Sequence, residues 1–178
     1  VIDAVDGIAA QDAHIAGYIL EACKGVIVSV NKWDLVPKGS RATDEYSQAV
    51  RTALRFLEYV PIVFISAKTG QRADRILDIA LQIKAERVRR IPTGVLNDLI
   101  QQATVRHSPP SHRGRSLRIY YATQADIEPP TFVFFVNDAR LVHFSYQRYL
   151  ENQIRPAFGF AGTPIKMVFK TRRSRSTA

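Results

Sequence analysis

Val26-Ile27-Val28-Ser29-Val30 runs without a break into Asn31-Lys32-Trp33-Asp34, and that junction decides how the rest of the chain reads. The first five residues, rich in β-branched side chains, predict a short strand buried on both faces, as in a parallel sheet. An amide, a lysine and a carboxylate then stand at its carboxyl end, which in open α/β sheets is where ligands bind. A guanine base presents a ring N–H and an exocyclic amino group side by side, and the Asp34 carboxylate can accept from both. Adenine has no such pair, and a site built on hydrogen bonds of this kind rejects a base lacking them by roughly 10⁴ to 10⁵. Asn31 is placed to brace the base edge and the neighbouring backbone, and the aliphatic stem of Lys32 to cover the ring face. Taken alone, the tetrapeptide also fits a strand that ends in an ordinary polar turn.

A second stretch reads the same way. Pro61-Ile62-Val63-Phe64-Ile65 predicts another buried strand, and it runs into Ser66-Ala67-Lys68-Thr69-Gly70. Small residues there let a backbone N–H approach the guanine carbonyl; the Ser66 hydroxyl can orient Asp34, and Lys68 can cover the other ring face. Between the two motifs Tyr46, Val50, Ala53, Leu54 and Leu57 recur at helical spacing, predicting a helix from Thr43 to Tyr59 with Thr43 and Asp44 as capping residues. Strand, motif, helix, strand, motif makes one βαβ unit whose two loops meet at the same sheet edge. The predicted guanine site is therefore Asn31, Lys32, Asp34, Ser66, Ala67 and Lys68.

These paired motifs resemble those of the bacterial GTPase family Der, also called EngA, in its carboxyl-terminal part. The resemblance extends to Val1-Ile2-Asp3-Ala4 through Gly7-Ile8 and Gln11-Asp12. It also takes in Ser145-Tyr146-Gln147-Arg148-Tyr149-Leu150-Glu151-Asn152 and Gly162-Thr163-Pro164-Ile165, stretches specific to that family's terminal domain. It implies an α/β chain: the carboxyl-terminal half of a P-loop-type GTPase domain with a mostly parallel sheet, then an α+β KH-like domain. It further implies GTP and GDP as ligands, Mg²⁺ only in the full-length protein, and a role in assembly of the large ribosomal subunit on its rRNA. An amino-terminal GTPase domain packing on the KH-like domain is implied as well.

Some expected parts are missing from these residues. No Gly-x-x-x-x-Gly-Lys-Ser/Thr occurs, and no Asp-x-x-Gly follows a strand. Hydrolysis in this class is positioning and charge stabilisation by those parts, so the chain as given is expected to be inactive as a GTPase, with no catalytic residue of its own. Val1-Ile2-Asp3-Ala4 reads as a strand that opens in mid-sheet, so a truncated chain is expected. The alternative is a non-enzymatic RNA or protein docking module with a vestigial nucleotide half.

The composition narrows the classes further. No apolar run approaches the roughly 20 residues that span a bilayer, and the amino end has no signal-peptide pattern, so a cytoplasmic protein is expected. The single Cys23 permits no internal disulfide. It falls on the apolar side of a helix predicted from Gln11 to Lys24, with Ile15, Tyr18, Ile19 and Ala22, where packing is its expected role. His14, His107, His112 and His143 have no metal-ligand spacing, and no metal site is predicted. Asp3, Asp6 and Asp12 flank a strand end and a helix start, where aspartate has ordinary capping value.

Charge separates the two halves. Residues 1–90 hold 13 Lys and Arg against 11 Asp and Glu, whereas residues 91–178 hold 12 against 5. The excess predicts a polyanion partner for the second half, and RNA is the leading one. A long amphipathic helix is predicted from Gln71 to Arg90, closed by Pro92; residues 1–90 and 91–170 are therefore read as two domains, with 171–178 as a basic tail. The second domain reads as helix (Thr93, as its cap, to about His107), strand (Leu117 to Ala122), strand (Thr131 to Val136), helix (about Ser145 to Ala157) and strand (about Ile165 to Lys170). This predicts a three-stranded sheet with helices on one face, the residues from Asp126 to Pro130 joining the first two strands. The prolines around Ser108-Pro109-Pro110-Ser111 mark a loop. Alternation puts most of Tyr120, Tyr121, Phe132, Phe134 and Phe135 in the core. Gly159-Phe160-Ala161-Gly162 matches the KH signature literally, yet it lies between helix and last strand with an apolar centre and reads as a turn. The predicted RNA contacts are Arg113, Arg115 and Arg118 with Lys170, Arg172, Arg173 and Arg175, touching phosphate without reading sequence.

Overall fold

Three short strands, β1 (Ile2–Asp3), β2 (Val28–Asn31) and β3 (Ile62–Phe64), form a parallel sheet in the computed structural model, which describes residues 1–37, 39, 41–109, 111, 112 and 114–172. Asp3 lies beside Asn31 in β2, and Val30 beside Phe64 in β3. Parallel neighbours need long crossovers. Helices α1 (Ala10–Glu21) and α2 (Ala42–Ala53) supply them, and α3 (Arg75–Arg87) follows. The core is built from Ile2, Val28, Val30, Val50, Leu54, Leu57, Val60 and Phe64, which is why β2 is a continuous buried run with no alternation.

The chain divides into two compact units. One is Val1–Arg87 with Phe160–Pro164; the other is Val88–Gly159 with the residues from Ile165 on. In the first, the Gly162 N–H donates to the Tyr59 carbonyl (2.8 Å) and the Gly162 carbonyl accepts from the Val26 N–H (2.7 Å), so this peptide caps the amino ends of the runs that lead into β2 and β3. Gly162 has φ +67°, and a Cβ there would overlap the Ile83 side chain.

In the second unit α4 (Thr93–Arg106) packs on β6 (Ile119–Ile127) and against α5 (Phe144–Phe158). Strands β6, β7 (Pro130–Val136) and β8 (Lys166–Thr171) form the sheet in that order, antiparallel and then parallel. The expected α-β-β-α-β order is present, with a small antiparallel pair, β4 (Ser111–His112) and β5 (Arg115–Ser116), set between α4 and β6. Leu96, Ile100 and Ala103 of α4, Phe132, Phe134 and Val136 of β7, and Tyr146, Leu150 and Ile154 of α5 are buried.

Several local expectations are corrected. The helix predicted to reach Tyr59 ends at Ala53, and a 3₁₀ turn (Arg55–Leu57) follows, because the buried Leu54, Leu57 and Val60 recur every three residues and that spacing lines up in a 3₁₀ turn. Arg51 holds this turn by donating to the Leu57 and Glu58 carbonyls at 3.1 and 2.9 Å. Its first turn is not capped by Thr43 or Asp44, since both lie inside α2. Cys23 lies beyond α1 at φ +51°; Cys23 N–H to Leu20 O (2.9 Å) and Lys24 N–H to Ile19 O (3.2 Å) close the helix in a Schellman motif. The third helix starts at Arg75, later than Gln71, and Pro92 holds the cap position expected of Thr93. The connection expected from Asp126 to Pro130 shrinks to Glu128 and Pro129, because Pro130 opens β7, a place where its missing N–H costs no ladder bond. Finally, Tyr120 and Tyr121 are both exposed, at 43% and 42%, while Phe132 and Phe134 are fully buried. A register shift between Ile119 and Tyr121 breaks the two-residue period on which the core expectation rested.

Candidate functional site

The two motif loops are tied together at the carboxyl ends of β2 and β3. The Asn31 Oδ1 accepts the Ala67 N–H at 2.9 Å, the Trp33 N–H reaches the Ile65 carbonyl at 3.0 Å, and the Ile65 N–H reaches the Val30 carbonyl at 2.8 Å. Lys32 turns the chain in the left-handed region at φ +62°, after which Trp33–Leu35 forms one 3₁₀ turn that carries Asp34. The Trp33 ring anchors that turn, lying 4.3 Å from Phe64 and edge-on to Tyr46 at 5.6 Å. Ser66 is fully buried, and its hydroxyl accepts the Thr69 N–H at 3.2 Å. This fixes the loop that presents the exposed Ala67 and Lys68. Among the described residues Asp34 has no hydrogen-bond or ion-pair partner, from Ser66 or any other.

Asp3 is the residue that sequence reasoning treated as a cap only. Its Oδ1 does accept the Val5 N–H at 2.9 Å, but its Oδ2 lies 2.5 Å from the Lys32 Nζ. The Lys32 ammonium, with the Val5 N–H, holds the Asp3 carboxyl below the usual carboxylate range, and Asp3 in turn pushes the lysine up. Asp12 keeps to the capping role, accepting the Ala9 N–H at 2.9 Å. Among the described residues no group of His, Cys, Asp and Glu is placed to hold a metal ion, and no helix is long and apolar enough to cross a membrane.

Of the predicted RNA contacts, Arg113, Arg173 and Arg175 lie outside the described residues. Arg115, Arg118, Lys170 and Arg172 are exposed. The Arg115 guanidinium stands 3.9 Å from the Asp138 carboxylate, whose closer partner is Arg140 at 2.9 Å. Arg118 lines an open cleft of about 390 Å³ with Thr104, Ile119, Tyr120 and Asn137. The Arg172 guanidinium sits 5.5 Å over the exposed Tyr120 ring.

Residues 90–170 match the family described as KH-domain-like of EngA bacterial GTPase enzymes, C-terminal. The proteins named GTPase Der from Moorella thermoacetica and Chloroflexus aggregans are each 51% identical to the chain, over 175 and 173 residues, which is 98% and 97% of it. Along nearly its whole length the chain is similar to the Der (EngA) family. The Symbiobacterium thermophilum protein of the same name is 52% identical over 172 residues. The chain spans 40%, 38% and 36% of the lengths of these three Der relatives. Both loop motifs and the KH-like domain thus sit within one continuous stretch of Der-like sequence.

Within this Der-like chain, two site features had no clear sequence signal. Trp33 was visible as part of the tetrapeptide, but its anchoring role depends on Tyr46 and Phe64, 13 and 31 positions away. The Asp3–Lys32 pair depends on the parallel register that sets Asp3 beside Asn31, and only the strand order reveals that.

Proposed function

We propose that the chain recognises the base of a guanine nucleotide through the loops that follow β2 and β3, as part of a GTP-binding, GTP-hydrolysing factor for large ribosomal subunit assembly. The observation that carries the reading is the Asn31–Ala67 hydrogen bond of 2.9 Å, which draws the loops together while the Asp34 carboxylate keeps both oxygens free of described partners. Asp34 accepts the ring N–H and amino group, the loop at Ala67 and Lys68 offers the base carbonyl a backbone N–H other than the one Asn31 holds, and the Lys32 and Lys68 stems flank the ring. Phosphate binding, Mg²⁺ and hydrolysis belong to the full-length protein in this reading. The KH-like domain docks on rRNA in the cytoplasm, its exposed Arg115, Arg118, Lys170 and Arg172 meeting phosphate.

Asp34→Asn tests the base assignment in the longest natural polypeptide that contains these residues. The new amide donates to the xanthine carbonyl that replaces the guanine amino group, so preference moves from GTP to xanthosine triphosphate. Competition binding is expected to show guanine selectivity falling by roughly 10³ or more, within the range that buried polar recognition commands. GTP affinity and selectivity that stay as in the wild type overturn the reading.

A further inference from the structure

We propose that Asp3 is a positioning residue for this site: seated at the end of β1, it holds the Lys32 ammonium so that the lysine stem is set against the base before nucleotide arrives. The inference rests on the guanine-binding reading above. Lys32 adopts φ +62°, a conformation strained for a non-glycine residue, and such a conformation persists where neighbours over-determine it. The neighbour here is Asp3, 2.5 Å from the Lys32 Nζ.

Asp3 is itself held at both ends. Its backbone is in parallel register with Asn31, and the Ala4 N–H binds the Asn31 carbonyl at 2.9 Å. Its carbonyl accepts from the Gly7 N–H at 3.0 Å and the Tyr46 hydroxyl at 3.2 Å. Its Oδ1 takes the Val5 N–H, leaving Oδ2 for the lysine. The two side chains are 25% and 52% exposed, so the pair adds little to folding stability, and its consequence is geometric. An ammonium fixed at its tip leaves the four-carbon stem few rotamers to lose on binding.

Because Lys32 meets the ring face, which guanine and hypoxanthine share, the pair acts on both bases alike. Asp34 reads the edge, where they differ. Release of fluorescent GDP and IDP from the longest natural polypeptide carrying these residues separates the two. Asp3→Asn is expected to speed both by the same factor, about 2- to 5-fold, the range of an exposed ion pair. In a Lys32→Met background the same substitution becomes silent, which a general loosening of β1 would not reproduce. The same cycle run with Asp3→Glu answers the question where Asp3→Asn does not fold. Unchanged release, or equal acceleration with and without Lys32, overturns the role of Asp3. If the wild type fails to retain GDP, or Asp34→Asn leaves the GDP to IDP ratio untouched, the base reading falls and the inference with it.

Discussion

Asn31 and Asn97 are both amides that clamp a neighbouring backbone, one in the loop after β2 and one on α4. They differ in what they leave over. Asn97 is nearly saturated: its Oδ1 accepts the Ala122 N–H at 2.8 Å, and its Nδ2 donates to the Ala122 carbonyl at 2.9 Å and the Thr93 carbonyl at 2.6 Å. It closes the outer edge of β6, whose unpaired backbone groups would otherwise be open to water or to another strand. Asn31 gives only its oxygen, to the Ala67 N–H, and beside it stand Lys32, tied to one carboxylate, and Asp34, tied to none among the described residues. Polar groups that the fold consumes are structural, and polar groups that the fold positions and leaves unused are where a ligand can be recognised.

The comparison is tested most severely at Asn97. Ala122 is fully buried, and Asn97→Ala strips partners from both its N–H and its carbonyl. Each orphaned group costs about 1 to 3 kcal/mol, so urea unfolding is expected to show a loss of roughly 2 to 6 kcal/mol with an unchanged slope. A loss below about 1 kcal/mol would mean that water substitutes for the clamp and that the saturation argument fails.

Asn31→Ala should behave in the opposite way. Ala67 is exposed, so water satisfies its N–H, and the stability loss should stay below about 1 kcal/mol. Nucleotide affinity, measured by titration calorimetry on the full-length protein, should fall about tenfold or more because the two loops are no longer held at one spacing. Equal stability losses at the two asparagines would erase the distinction.

The same contrast explains what could be read in advance. Asn31, Lys32, Asp34 and Ser66 stand out in sequence because the proposed guanine site needs particular residue types directly after two buried strands, and local apolar runs such as Val26–Val30 mark those strands. Asn97 gives no such signal, since an asparagine on a helix declares neither its face nor its partner, and Ala122 is 25 positions away. Gln124 is a second case: it donates to the Arg89 carbonyl and accepts from the Ile91 N–H, both at 2.8 Å, from a strand position that reads as an ordinary polar residue. Periodicity failed where register changed, as at Tyr120 and Tyr121, and where helical spacing passed into a 3₁₀ turn, as at Leu54, Leu57 and Val60. Helix order and strand order survived these errors because they depend on which segments are apolar, whereas ends and faces depend on backbone contacts that come from distant residues.

The smallest effect, and the one that isolates a single consumed group, is at Tyr146. Its ring is buried on α5 and its hydroxyl donates to the His107 carbonyl at 3.2 Å. Burial, reinforced by the neighbouring Tyr149, pushes the phenol up to about 12 from an ordinary value of 10.0. At neutral pH Tyr146→Phe removes one hydrogen bond and should cost about 1 kcal/mol. The unfolded phenol ionises from near pH 10 while the folded one resists until about pH 12, so the contribution of the tyrosine is intact below the first value and is lost as pH rises toward the second. Urea midpoints of the two proteins should therefore converge above pH 10 and cross before pH 12, the phenylalanine variant becoming the more stable. A gap that stays constant across that window would show that the hydroxyl has access to water, and Tyr146 would then move from the consumed groups to the unused ones.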